Sequence, residues 1–325
     1  MSYPIDKKLV IGVASSALFD LSESNRVFEK HGVAAYRKHQ RENIDCTLPK
    51  GVAFPFIRRF LAINQVFPER QPVEVVLLSR NSPETGLRVF RSIKHYGLDI
   101  SRAAFTGGGH PHEFISSFNA SLFLSANEPD IARAITHGFP AGLVLPGITE
   151  DDESDHQLRV AFDFDGVIAD DESEAVYKST DLATFQAYEQ QNRHTPHSPG
   201  PLADLFRKLS HLQQLERELL DKNPQQKKIL RVSIVTARGA PAHERVLTTL
   251  QNWGVDTDEA FFLGGMQKLR ILDVLKPHIF FDDQISHLET GSNAIPMVHI
   301  PFGVANSSRQ STAPADAGDK KPNGH

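Results

Sequence analysis

The sequence repeats itself. Moved along by 149 positions, ALFDLSESNRVFEKHGVAAYRKHQRENIDCTLPKG (17–51) falls without a gap on GVIADDESEAVYKSTDLATFQAYEQQNRHTPHSPG (166–200), so that Glu23 meets Glu172, Asn43 meets Asn192 and Gly51 meets Gly200. Between 77 and 126 the offset becomes 157, again without a gap: Arg88 meets Arg245, Gly97 meets Gly254, Gly107 and Gly108 meet Gly264 and Gly265, and Phe123 meets Phe280. The longer offset sets in near QLERELLDKNPQQKK, a polar stretch where an insertion disturbs little. Shared hydrophobic period and glycine helix stops would liken any two strand–helix units, but they would not hold one register over so long a stretch. The chain reads as a duplicated unit.

Each unit alternates short β-branched runs with amphipathic stretches. KLVIGVA, VEVVLLS, SLFLSA, GLVLPG, LRVAFDFD, RVSIVTA, HIFFDD and PMVHIP predict strands; SPETGLRVFRSIKHYG and PAHERVLTTLQNWG predict helices that stop at glycine. This alternation predicts an α/β fold of two tandem Rossmann-like units, each with a mostly parallel sheet. The expected boundaries are a first half over 1–148, an acidic connector over 149–157, a second half over 158–303 with a small helical cap inserted at about 170–230, and a disordered tail over 304–325.

Aligned positions that differ in chemistry separate the halves. At its predicted strand ends the second half carries Asp163, Asp165, Thr236, Asp282 and Asp283, with Lys268 just after Gly264 and Gly265; the first half has Ala14, Ser16, Ser79, Ser125, Ala126 and Pro111 there. In a doubly wound sheet ligands bind outside the carboxyl ends of the strands, so these side chains are expected to converge. An aspartate buried without a partner costs several kcal/mol, so the carboxylates of VAFDFDGV need compensation. An all-oxygen set with room for water and substrate suits Mg²⁺ better than zinc. Lys268, the Thr236 hydroxyl and the turn through Ala237 into a helix N-terminus add donors for an anion, which describes a phosphate site. There Asp163 is the candidate nucleophile toward phosphorus and Asp165, two residues on and on the same side of an extended chain, the candidate acid and base.

DFDGV, VTAR, the lysine after FFLGG and FFDD resemble, in order, the four motifs of the haloacid dehalogenase-like phosphatases. LVIGVASSALFD, VEVVLLSRNSPETGLRVF, FTGGGHPHEF, VTARGAPAHERV and FFDDQ extend the resemblance, over nearly the whole chain, to the cytosolic type I 5'-nucleotidases. This resemblance implies Mg²⁺-dependent hydrolysis of nucleoside 5'-monophosphates, AMP foremost, by a degenerate and a catalytic unit of that fold. It implies Asp163 as nucleophile, Asp165 as acid and base, Thr236, Ala237 and Lys268 on the phosphate, and Asp163, Asp165, Asp282 and Asp283 around the metal.

Tyr177, Phe185 and Tyr188 lie on one predicted helical face; Tyr177 and Phe185 are candidate substrate contacts, as are Arg238 and His243 beside the phosphate turn. A core stripe and a surface arginine are the competing readings. Asp170, Asp171, Glu172 and Glu174 read as the start of a helix, FTGGGHPHEF as a turn, and Cys46 as a loop residue. With a net charge of −5 and scattered basic residues the chain is not expected to bind nucleic acid or an anionic membrane. A lone cysteine, no long apolar run and no signal-like core in MSYPIDKKLVIG point to the cytoplasm. The motifs specify a phosphoryl group and not what carries it, so a sugar phosphate is the alternative small-molecule substrate, and a non-enzymatic nucleotide-binding module the alternative of another class. The charged set at 163, 165, 268, 282 and 283 favours the enzyme.

Overall fold

The computed structural model describes residues 4–148, 150–289 and 294–306. Ten strands form one sheet: β1 (Leu9–Val13), β2 (Val73–Ser79), β3 (Arg102–Phe105), β4 (Ala120–Ser125), β5 (Ala141–Val144), β6 (Leu158–Phe162), β7 (Leu230–Thr236), β8 (Glu259–Phe262), β9 (Ile279–Asp282) and β10 (Met297–His299). Their spatial order is β3-β2-β1-β4-β5-β10-β9-β6-β7-β8. The order of the first five strands recurs in the last five, read inward from the opposite edge. Neighbours run parallel except at the centre, where β5 and β10 pair antiparallel through Val144 with Val298 and Leu143 with His299.

The helices are α1 (Ser15–Leu18), α2 (Ser22–Glu42, broken at Gly32), α3 (Phe54–Val66), α4 (Pro83–His95), α5 (Glu128–Thr136), α6 (Glu172–Ser179), α7 (Leu182–Gln191), α8 (Ala203–Lys222), α9 (His243–Trp253), α10 (Leu269–Leu275) and α11 (Ile285–Glu289). Both α3 and α8 reach across the centre. α3 packs on β2 and also on β6, while α8 packs on β7 and also on β1 and β4. One apolar core therefore runs through both halves, from Ile11, Phe54 and Phe60 to Phe162, Phe206 and Phe281.

The eight strands read from sequence are all present, and two more appear. β3 and β8 are the sheet's edges; their four residues each are only half-buried, which weakens the apolar signal that marks the inner strands. The expected cap is narrower than 170–230. α8 buries Leu205, Phe206, Leu209 and Leu212 and belongs to the sheet layer, leaving α6 and α7, which pack on each other, on the turn after β6 and on α9. The expected tail begins later than 304. Asn306 is buried and its amide donates to the Asp283 and Phe302 carbonyls at 2.9 and 2.8 Å; positions 307–325 lie outside the described residues.

Contacts recur at the aligned positions. Arg88 Nε donates to the Cys46 carbonyl and Arg245 Nε to that of Thr195, each at 2.9 Å. The Leu48 amide donates to Ser92 Oγ and the His197 amide to Thr249 Oγ1, each at 3.0 Å. Gly51 and Gly200 have no room for a side chain: a Cβ would stand 2.7 Å from the Ala17 carbonyl oxygen at one and 2.2 Å from that of Ala169 at the other.

The connector is clamped to the first half. Asp151, its side chain 2% exposed, accepts from Arg58 Nη2 and Arg59 Nη1 at 2.8 Å and from Lys50 Nζ at 3.1 Å. Burial opposes its charge, but these three cations outweigh burial and hold the carboxyl well below the ordinary carboxylate range. Because that depression favours the ionised form, its contribution to stability is present above the unfolded value of about 3.9 and is lost as pH falls below it. Asp151→Ala leaves a fully buried Arg59 uncompensated and is expected to cost roughly 3 kcal/mol at pH 7 by urea denaturation, with a smaller difference from the parent at pH 3. A second expectation follows from the shared core: residues 158–303 expressed alone should aggregate, read by light scattering, because the faces of α8 and β10 that meet the first half would be open to water.

Candidate active site

The second half brings its charged set together where β6, β7 and β9 end. The Asp163 amide is held by the Phe281 carbonyl at 2.8 Å, and its Oδ1 accepts from the Phe164 amide at 2.7 Å. Lys268, at the start of α10, places Nζ 2.6 Å from Asp163 Oδ2 and 2.7 Å from Asp282 Oδ2. Asp282 also accepts from the Gln284 amide at 2.8 Å and lies 3.2 Å from His287 Nδ1. Gly166 turns the chain at φ 68°, and a Cβ there would stand 2.5 Å from Asp283 Oδ2, so only glycine lets the turn close over that carboxylate.

The electrostatics are unbalanced. Burial pushes Asp163 up to about 7; Lys268 pulls it down while Asp282 and Asp165 repel its charge. Burial disfavours the Lys268 ammonium too, yet Asp163 and Asp282 outweigh it and keep the lysine charged. Burial likewise opposes the charge on Asp282, but Lys268 and His287 hold that carboxyl below its ordinary value. Asp283 is left over. It is pushed up to about 10 by burial, then by Asp163, Glu174 and Asp282, and neither of its buried oxygens has a hydrogen-bond partner among the described residues.

A divalent cation fits that imbalance. Ligand atoms of Asp163, Asp282 and His287 lie within 4.8 Å of one another. Asp282 is already engaged by Lys268, Gln284 and His287, whereas both buried oxygens of Asp283 lack a hydrogen-bond partner among the described residues and leave it a further candidate donor.

The remaining residues read from sequence fall in three places. Thr236 and Ala237 form the adjoining turn: Thr236 Oγ1 accepts from the Arg238 amide at 3.2 Å, and the Ala237 carbonyl from Gly265 at 3.1 Å. Arg238 turns inward. It is buried and grips both oxygens of Asp165 at 2.7 and 2.6 Å, while its other nitrogen donates to Glu189. Burial opposes the charge on Asp165, and Arg238 outweighs it, holding this carboxyl below the ordinary range. Tyr177, half exposed, meets Phe185 edge-on at 5.6 Å, and the Arg238 guanidinium lies 5.9 Å from the Phe185 ring. His243 starts α9 and packs against Phe262 at 5.8 Å.

Three residues outside the sequence-predicted set join this site: Glu189, Arg245 and His197. Glu189 on α7 is buried and accepts from Arg238, from Arg245 Nη1 at 3.1 Å and from Ser173 Oγ at 2.7 Å, tying the two cap helices to the turn after β7 and to α9. His197, pushed down to about 3 by burial and then by Arg238, is neutral beneath them. The repeat carried a signal: Glu189 aligns with Gln40, also buried and bonded by the aligned arginine, with Arg88 Nη1 at 3.3 Å. Glu189→Ala removes the buried carboxylate that two guanidinium groups share, leaving Arg238 with Asp165 alone and Arg245 with Glu172 alone as acidic partners, and is expected to cost about 3 kcal/mol, read from the urea midpoint; Glu189→Gln, which keeps hydrogen-bonding capacity, should cost less.

The family model for 5'-nucleotidase matches residues 1–307. Human cytosolic 5'-nucleotidase 1B is 34% identical over 287 residues, 86% of this chain and 47% of the relative, so the chain spans about half the length of that protein. No solved structure matches. Among the described residues no helix is long and apolar enough to cross a membrane. With its whole α/β body inside the matched region, the chain belongs to the 5'-nucleotidase family.

Proposed function

We propose that the chain hydrolyses nucleoside 5'-monophosphates, AMP foremost, to nucleoside and phosphate with Mg²⁺, in the cytoplasm. The observation that carries this reading is the orphaned Asp283 beside the Lys268-paired Asp163, at the carboxyl ends of β6 and β9, in a chain of this family. Asp163 and Asp283, with Asp282 alongside, would hold the cation, which when bound neutralises phosphoryl oxygens. Asp163 attacks phosphorus as the bond to the 5'-oxygen breaks, and the leaving oxygen takes a proton from Asp165. Asp165 then removes a proton from water, whose oxygen attacks phosphorus and releases phosphate and free Asp163. Lys268 stabilises the transferring group, and Thr236 with the turn at Ala237 offers further donors.

The Arg238 grip bears on this sequence of steps. A carboxylate held by a bidentate guanidinium is a proton acceptor, and for Asp165 to donate a proton the guanidinium has to withdraw. A negatively charged phosphate arriving between them supplies a competing partner. We assign Arg238 this positioning role. Tyr177 and Phe185, on the cap helices nearby, form the proposed face for the base.

The recurring strand order and contacts support reading the chain as a tandem duplication whose first unit, over 1–148, is degenerate and whose second, over 158–303, is catalytic.

Phosphate release from a panel of nucleoside monophosphates and sugar phosphates tests the reading: AMP should lead, chelation should stop the reaction and added Mg²⁺ should restore it. Preference for a sugar phosphate would overturn the substrate class. Asp163→Asn should remove turnover while leaving the circular dichroism spectrum unchanged. Lys268→Ala should lower kcat on the order of 10²-fold, the loss typical of one preorganised donor.

A further inference from the structure

The first half holds a cavity of about 1020 Å³ at the carboxyl ends of its strands, bordered by Ala14, Ser16, Ser79 and Ala126, which align with Asp163, Asp165, Thr236 and Asp283. Its volume is at the upper end of ordinary small-molecule sites and far beyond what inorganic phosphate fills. We propose that this cavity is a second small-molecule site, which takes an uncharged nucleoside and needs no metal ion.

Two features of its walls carry the proposal. The first is what has been kept. Phe28 and Tyr36 line the cavity and meet edge-on at 6.0 Å, as Tyr177 and Phe185 do at 5.6 Å, and the two pairs occupy aligned positions. Tyr36 Oη donates to Asn81 Oδ1 at 2.9 Å, where the second half has the Arg238 guanidinium 5.9 Å from the Phe185 ring. The face proposed to receive a base is thus present in both halves.

The second feature is what has been removed. Every charged group of the phosphate machinery is replaced, and the six charged residues around the cavity cancel: Arg37, Lys50 and Arg80 against Asp20, Glu128 and Asp130. Lys50 is committed to Asp151 and Glu153, and Arg80 lies 3.6 Å from Asp130. Glu128 and Asp130 also occupy the first turn of α5, whose N-terminus would otherwise favour an anion. What remains is hydrogen bonding without net charge: Ser15 and Ser79, bonded to each other at 2.9 Å, Asn81, and the buried Asp130 Oδ1, which faces Arg80 Nη1 at 3.6 Å but accepts no hydrogen bond among the described residues. An acceptor of that kind matches a sugar hydroxyl or a base amine and repels a phosphate. The choice of a nucleoside rests on the substrate class proposed for the second half, and binding is therefore read separately from hydrolysis.

Isothermal titration of the full chain in excess chelator, with adenosine and with AMP, tests the site. Adenosine should bind at one equivalent, roughly ten-fold more tightly than AMP, and equally well to Asp163→Asn. Ala126→Trp, which fills the cavity from an exposed position, and Tyr36→Ala should each weaken adenosine binding roughly ten-fold or more while leaving AMP hydrolysis with Mg²⁺ in place. Absence of adenosine binding overturns the proposal, as does tighter binding of AMP under chelation. So does adenosine binding that survives both cavity variants or is lost in Asp163→Asn, since either would place the nucleoside elsewhere. If the chain fails to hydrolyse AMP but binds adenosine in this pattern, the second site stands and the proposed activity falls.

Discussion

Among the described residues Lys268 is the only lysine or arginine paired with Asp163 and Asp282, and the carboxylates gathered at the ends of β6 and β9 outnumber it. Its ammonium sits between Asp163 and Asp282, close enough to neutralise one charge and share in the second. It cannot also satisfy Asp283, which burial and three neighbouring acids push toward the neutral form. A fold that only had to be stable would replace such a residue with an apolar one of similar size, because an uncompensated buried carboxylate is among the costlier features a core can hold. The first half shows that replacement, with Ala14, Ser125 and Ala126 in place of Asp163, Asp282 and Asp283 on a sheet of the same strand order. The deficit is thus not required by the scaffold, and it is what makes a divalent cation a fitting ligand.

The two halves are not separable bodies that happen to touch. β5 and β10 join the sheets edge to edge, and α3 and α8 each cover strands of the opposite half. A single parallel unit would leave β5 or β10 as an open edge with unpaired amides and carbonyls, and antiparallel pairing removes both edges at once. The connector then has little freedom. Asp151 is fixed by Lys50, in the loop before α3, and by Arg58 and Arg59 of α3 itself, the helix that reaches across the centre.

The inner strands were legible in the sequence because they are buried on both faces and read as unbroken β-branched and aromatic runs, VEVVLLS and RVSIVTA above all. The edge strands RAAF and EAFF were not, since half-burial and four-residue length leave no pattern to detect. The carboxylates and Lys268 were legible for a different reason: charge at the end of an apolar strand is anomalous, and comparison of aligned positions isolates it. Arg238 was seen, but its inward partners were not. Its partner Asp165 lies 73 residues away and Glu189 49 residues away, and no local rule distinguishes an arginine that turns inward to two acids from one that faces solvent. The cap suffered likewise, because α8 has the polar, charged composition of an exposed helix, and its buried face is fixed by β7 together with β1 and β4 of the other half.

The Arg238 contacts join two events that the sequence would leave independent. Its guanidinium holds Asp165 with one pair of nitrogens and Glu189 of α7 with the third, and Glu189 in turn holds Arg245 of α9 and Ser173 of α6. In the proposed reaction Asp165 becomes a proton donor only when that guanidinium withdraws, and withdrawal shifts a charge that Glu189 shares. Glu189 cannot follow freely, because Arg245 and Ser173 keep it where it is, so the cap helices and the proton donor are coupled through one buried carboxylate. The first half retains the helix-to-helix part of this linkage, Gln40 with Arg88, but has Asn81 in place of Arg238 and Ser16 in place of Asp165. The first half thus shares the contact between its helices and lacks both groups to which the proposal assigns proton transfer.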